Sequence, residues 1–73
     1  MTYYTNILKV LPEYPISFEE IMNRLIVHDH KKTYVIDALK KGIELGTIIQ
    51  YKNPNEKRLF VGHTYSLQSN QSL

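Results

Sequence analysis

Val35-Ile-Asp-Ala-Leu-Lys-Lys-Gly-Ile-Glu-Leu-Gly-Thr-Ile48 decides the fold, because the spacing of apolar residues changes period within it. At about 100° per residue from Lys31 to Leu45, Val35, Ala38, Leu39, Gly42 and Ile43 fall on one side. Tyr34, Ile36 and Leu45 flank them, and Thr33, Asp37, Lys40, Lys41 and Glu44 lie opposite. This is an amphipathic helix, and Gly46 suits the left-handed position that ends one. An interior glycine costs a helix about 1 kcal/mol, so Gly42 on the buried side predicts the close approach of another backbone. From Thr47 the period becomes 2, with β-branched and aromatic residues over Thr47–Lys52 and again over Arg58–Leu67. Asn53-Pro-Asn-Glu-Lys57 between them is a turn cluster of hairpin-loop length. In the second strand, Leu59, Val61, Tyr65 and Leu67 share a face that should lie on the helices.

Upstream, Ser17-Phe-Glu-Glu20 has the form of a capping box, and Ile16 and Ile21 stand where a hydrophobic staple closes over it. The helix it starts runs from about Phe18 to Val27, with Phe18, Ile21, Met22 and Leu25 inward and Glu19, Asn23 and Arg24 outward. Earlier still, Tyr4, Ile7, Leu8 and Leu11 make the stripe of a first helix between Thr2 and Leu11, which Pro12 and Pro15 stop. Asp29 is an expected N-cap for the third helix. The order is helix, helix, helix, hairpin, an α+β domain over residues 1–67 with a polar tail at 68–73.

Composition narrows the function classes. Apolar residues make 42% of the 73-residue chain and charged residues 22%, which is a folding composition. The absence of cysteine removes disulfides, thiolate nucleophiles and cysteine-based zinc sites. No apolar run reaches the roughly 20 residues that span a bilayer, and the N-terminus lacks the blocks of a secretory signal, so an intracellular protein is expected. Up to Val27 the charges are three acids and two bases; from His28 onward there are seven bases and four acids. The net +2 is modest for a nucleic-acid binder, so the distribution carries the signal.

These residues resemble the winged-helix family, a helix-turn-helix variant with a β-hairpin wing. The resemblance covers about Tyr3–Leu67 and rests on Ile16-Ser-Phe-Glu-Glu-Ile-Met-Asn-Arg-Leu25, similar to the family's capped second helix, and on Val35–Ile48, similar to the recognition helix and its exit into the first wing strand. The globular domain of linker histones shares that second pattern, although such a domain is much more basic. The resemblance implies a three-helix winged helix with a C-terminal wing, whose third helix lies in the DNA major groove. Carried onto matching positions, the DNA-binding residues are Lys31, Lys32, Thr33, Asp37, Lys40 and Lys41 on or before the third helix, and Lys52, Lys57 and Arg58 at the wing. The stretch Ile26–Lys32 is longer than the family's tight turn.

Other chemistries find little support. His28 and His30 are the only metal-like pair, with no fixed third ligand nearby, and no metal or cofactor is expected. No base stands near a nucleophile, and Gly42, Gly46 and Gly62 are too scattered to cradle phosphate, so an enzyme is not expected. Tyr4, Tyr34 and Tyr65 read as core or core-edge residues, whereas Tyr14 and Tyr51 have no evident place. Two functions remain: a small intracellular regulator of transcription that binds double-stranded DNA, with a homodimer on two half-sites as one arrangement, and a winged-helix protein-interaction module, such as an inhibitor or assembly adaptor. The mixed charge of the third helix favours the second. A stand-alone domain of this size suits a compact genome such as that of a virus, phage or plasmid.

Overall fold

A computed structural model describes residues 3–68. The elements are α1 (Tyr3–Val10), β1 (Ile16–Ser17), α2 (Phe18–Leu25), a 3-10 turn (Asp29–Lys31), α3 (Lys32–Leu45), β2 (Ile48–Tyr51) and β3 (Thr64–Leu67). The three strands form one antiparallel sheet in the order β1-β3-β2. This α+β arrangement buries one core: Ile7 and Leu11 from α1 and its end, Phe18 and Ile21 from α2, Val35 and Leu39 from α3, and Ile48 and Tyr65 from the sheet. The apolar stripes of all three helices therefore face inward as their periodicity requires.

β1 is an addition to the expected hairpin. Ile16 pairs with Tyr65 and Ser17 with Thr64, so the residue before the α2 cap is also a strand residue. The Ser17 hydroxyl accepts from the Glu20 amide at 3.0 Å, as a cap requires. The reciprocal half of the capping box does not form, because the Glu20 carboxylate accepts from Arg24 Nε at 3.0 Å one turn on. Arg24 also donates to the Val10 carbonyl at 3.1 Å, tying α2 to the end of α1.

α2 ends at Leu25 rather than Val27. Ile26 takes φ 56°, ψ 55°, and the amides of Ile26 and Val27 donate to Asn23 and Met22 carbonyls, a Schellman end. A β-branched residue in that region is strained, and the Ile26 side chain is 86% exposed, so no burial offsets the strain. The expected N-cap at Asp29 is also corrected. Asp29 lies in the 3-10 turn, and Lys31 takes the N-cap position of α3 without a side-chain cap.

Gly46 ends α3 at φ 82°, with the Thr47 amide donating to the Gly42 carbonyl at 2.9 Å. What approaches Gly42 is the Ile48 side chain rather than a backbone: a Cβ there would lie 2.6 Å from Ile48 Cγ1. Tyr4 closes this corner, its hydroxyl 2.8 Å from Thr47 Oγ1.

The largest departure is the second hairpin strand, expected over Arg58–Leu67 and observed only over Thr64–Leu67. β2 and β3 pair Ile48 with Leu67 and Tyr51 with Thr64, leaving residues 52–63 as a twelve-residue connection. Asn53–Glu56 forms a turn with the Glu56 amide on the Asn53 carbonyl at 2.9 Å, and Gly62 turns the chain back at φ 93°. Leu59, expected on the helices, is 76% exposed; Tyr65 is fully buried. Gln68, read as the start of the tail, donates its amide to the Thr47 carbonyl at 2.8 Å. Thr2 and residues 69–73 lie outside the described residues.

Candidate nucleic-acid interface

The β2–β3 connection is irregular yet tightly held, because side chains replace the strand ladder. His63, buried at the start of β3, lies between two backbone groups of the connection: its Nδ1 accepts from the Asn53 amide at 2.9 Å, and its Nε2 donates to the Arg58 carbonyl at 2.7 Å. These partners select the neutral tautomer with the proton on Nε2. Gln50 Nε2 donates to the Leu59 carbonyl at 2.8 Å, and the Tyr65 hydroxyl donates to the Phe60 carbonyl at 2.5 Å while accepting from Gln50 at 3.0 Å. Three consecutive carbonyls, 58 to 60, are thus each bound by a side chain from the sheet or its edge. Burial pushes the Tyr65 hydroxyl pKa up to about 12 despite the Gln50 hydrogen bond.

This anchoring brings residues distant in sequence together. Lys32, at the start of α3, shares one shallow cleft with Lys57 and Arg58 of the connection, and Ile36, Leu59, Phe60 and Val61 supply its apolar lining. A second recess on the connection joins Lys52 to Lys57 and Arg58. Lys32, Lys52 and Lys57 are exposed, and among the described residues none of them is in an ion pair. Arg58 differs. Its Nε lies 2.7 Å from Glu56 Oε2, its other guanidinium nitrogen 3.1 Å from Oε1, and its own amide also donates to that carboxylate at 2.9 Å. Hydrogen bonds from Arg58 hold the Glu56 carboxyl pKa down to about 2, so Glu56 stays ionised and offsets the Arg58 charge locally.

The remaining expected contacts do not join this edge. Thr33, Asp37 and Lys40 are exposed along α3, as is Glu44. Lys41 turns toward α1, its Nζ 5.2 Å from the Tyr4 ring centroid. Lys31 lies 5.7 Å from the Tyr34 ring, which stacks on Tyr3 at 5.5 Å and 9°. These two cations sit on aromatic faces on the α1 side of α3. Of the apolar residues in the cleft, Leu59, Phe60 and Val61 were not among the expected site residues. Their signal in sequence was the run Leu59-Phe60-Val61 closed by Gly62, which an alternating strand does not need.

His28 and His30 stack at 5.7 Å, and both nitrogens of His63 are taken by backbone groups. No group of three or more His, Cys, Asp or Glu side chains is placed to hold a metal among the described residues. No described helix is long and apolar enough to cross a membrane. No protein-family model, curated protein or solved structure matches this chain.

Proposed function

We propose that this chain is a winged-helix domain that binds duplex DNA inside the cell and regulates transcription, with α3 entering the major groove and the β2–β3 connection acting as the wing. The observation that carries the reading is the meeting of Lys32 with Lys57 and Arg58 around one cleft, from two elements far apart in sequence. Lys52 extends that edge along the wing. Of these, Lys32, Lys52 and Lys57 are in no ion pair among the described residues, and such cations on one edge are what phosphate neutralisation needs, since binding releases the counterions condensed on the duplex. Lys40 adds a further exposed cation on α3, beside Thr33 and Asp37, whose side chains suit hydrogen bonds to base edges. Charge separation along the chain supports the same orientation: residues 28–68 hold seven bases and four acids, and the α1–α2 half holds an excess of one acid.

A second reading, docking of a protein partner on the same face, is favoured by the apolar residues Ile36, Leu59, Phe60 and Val61 inside the basic rim. Titration of the isotope-labelled protein with a random-sequence duplex separates the two. For DNA binding, amide resonances of residues 31–41 and 52–60 shift together, and α1 and α2 change little. Absence of shifts, or shifts confined to α1 and α2, overturns the DNA reading.

A further inference from the structure

Leu59 is out of place in a structural loop. It is 76% exposed and is the tip of an apolar group, Ile36, Phe60 and Val61, against which a freely moving leucine would fold down. Its backbone is held. Its own carbonyl is bound by Gln50, the carbonyl before it by His63 and the carbonyl after it by Tyr65. His63 and Tyr65 are buried, so these donors are fixed in the core. The connection therefore keeps an exposed leucine immediately after Lys57 and Arg58, in the same cleft as Lys32.

On the DNA-binding reading, which this inference rests on, we propose that Leu59 is an apolar wedge that enters the minor groove and parts a base step, bending the duplex while Lys32 and Lys57 hold the phosphates on either side. Three features favour a duplex over a peptide as the occupant. The leucine is 76% exposed on the wall of an open cleft, so the partner must supply the slot that buries it. The cations Lys32 and Lys57 line the same cleft as the leucine, which matches a polyanion with an apolar interior. Finally, Arg58 is already tied to Glu56, so the free charge in the cleft is that of Lys57 and Lys32 and not that of the residue next to the leucine. Leucine is among the side chains that unstack base steps from the minor groove, and such insertions kink DNA by roughly 20–90° toward the major groove. That bend would fold the major groove against α3.

The test uses the full chain and a duplex of about two helical turns with a central, easily kinked TA step, labelled at both ends for energy transfer. Wild-type protein at saturation shortens the end-to-end distance. Leu59→Ala keeps the fold, as checked by thermal melting, and binds about tenfold more weakly because the apolar insertion is lost. At saturation it leaves the duplex straight, with an unchanged salt dependence. Leu59→Phe retains the bend. Lys57→Gln lowers the salt dependence and still bends the duplex once saturated. If Leu59→Ala bends DNA as the wild type does, or if the wild type saturates a straight duplex, the wedge is overturned and DNA binding stands. If the wild type shows no duplex binding at low ionic strength, the wedge and the DNA reading both fall.

Discussion

Removing a single oxygen tests whether the β2–β3 connection is held by the sheet side chains. Tyr65→Phe preserves the buried ring, which pairs opposite Ile16 and Gln50, and deletes only the hydroxyl. That hydroxyl donates to the Phe60 carbonyl at 2.5 Å and accepts from Gln50 at 3.0 Å. The substitution leaves the Phe60 carbonyl with only the long hydrogen bond from the His63 amide, at 3.4 Å, and takes the partner from one Gln50 amide hydrogen, which costs about 1–3 kcal/mol when water cannot replace the hydroxyl. For a domain of this size, 1 kcal/mol corresponds to roughly 4–8 °C in Tm, so the melting temperature should fall by about 5–20 °C. Local loosening should appear as well: limited trypsin digestion should cut after Lys57 and Arg58 faster in Tyr65→Phe than in wild type, at temperatures where both are folded. Alkali probes the same atom. The folded pKa of about 12 lies above the ordinary 10, so the hydroxyl's contribution is complete below pH 10 and is lost as pH rises from 10 to 12. By pH 12 the wild type loses about 2 kcal/mol through this group, and Tyr65→Phe, which has nothing to ionise there, loses that much less. Equal melting temperatures, equal trypsin rates and parallel alkaline curves would refute the claim that Tyr65 anchors the β2–β3 connection.

Three further substitutions test the packing. Leu39→Ala removes a fully buried side chain at the centre of α3, and thermal or urea unfolding should show a loss of about 2–5 kcal/mol. Ile26→Gly should raise stability by about 1 kcal/mol in the same assays, because glycine adopts φ 56° without strain and the isoleucine it replaces is exposed. Gly42→Ala should destabilise despite a helix-propensity gain of about 1 kcal/mol, since its Cβ meets Ile48; a higher Tm would show that Ile48 yields easily.

Local chemistry made much of this fold legible. Ser17 as a cap, Gly46 as a helix end and the inward stripes of Ile7, Ile21 and Leu39 each depend on neighbours within a turn or two, and sequence carries such signals directly. β1 left no trace because two residues have no periodicity, and its pairing with β3 needs the chain to return from position 65. Residues 58–63 were read as strand because Leu59 and Val61 alternate. That pattern loses to His63, Gln50 and Tyr65, whose hold on the carbonyls exists only once the sheet has formed. Ile26 in a left-handed position contradicts its own propensity, so no sequence rule would place it there. At the candidate site, the basic residues could be named from sequence but not sorted. Lys32 reaches Lys57 only through the folded β2–β3 connection, and Lys31 and Lys41 are drawn aside by tyrosines that packing places beside α3.

Phosphate binding by the edge that Lys32 and Lys57 form is the central claim, and the salt dependence of duplex affinity tests it most directly. Binding of wild type and of Lys32→Gln/Lys57→Gln to a random-sequence duplex should be followed across a range of ionic strength. The wild type should bind at low salt and weaken linearly in log–log form, and the double variant should show a slope smaller by about two, near one per lost phosphate contact. Both proteins should melt alike, because the two side chains are exposed and lie outside any ion pair among the described residues. Salt-independent or absent duplex binding by the wild type, or an identical slope in the double variant, would contradict the account.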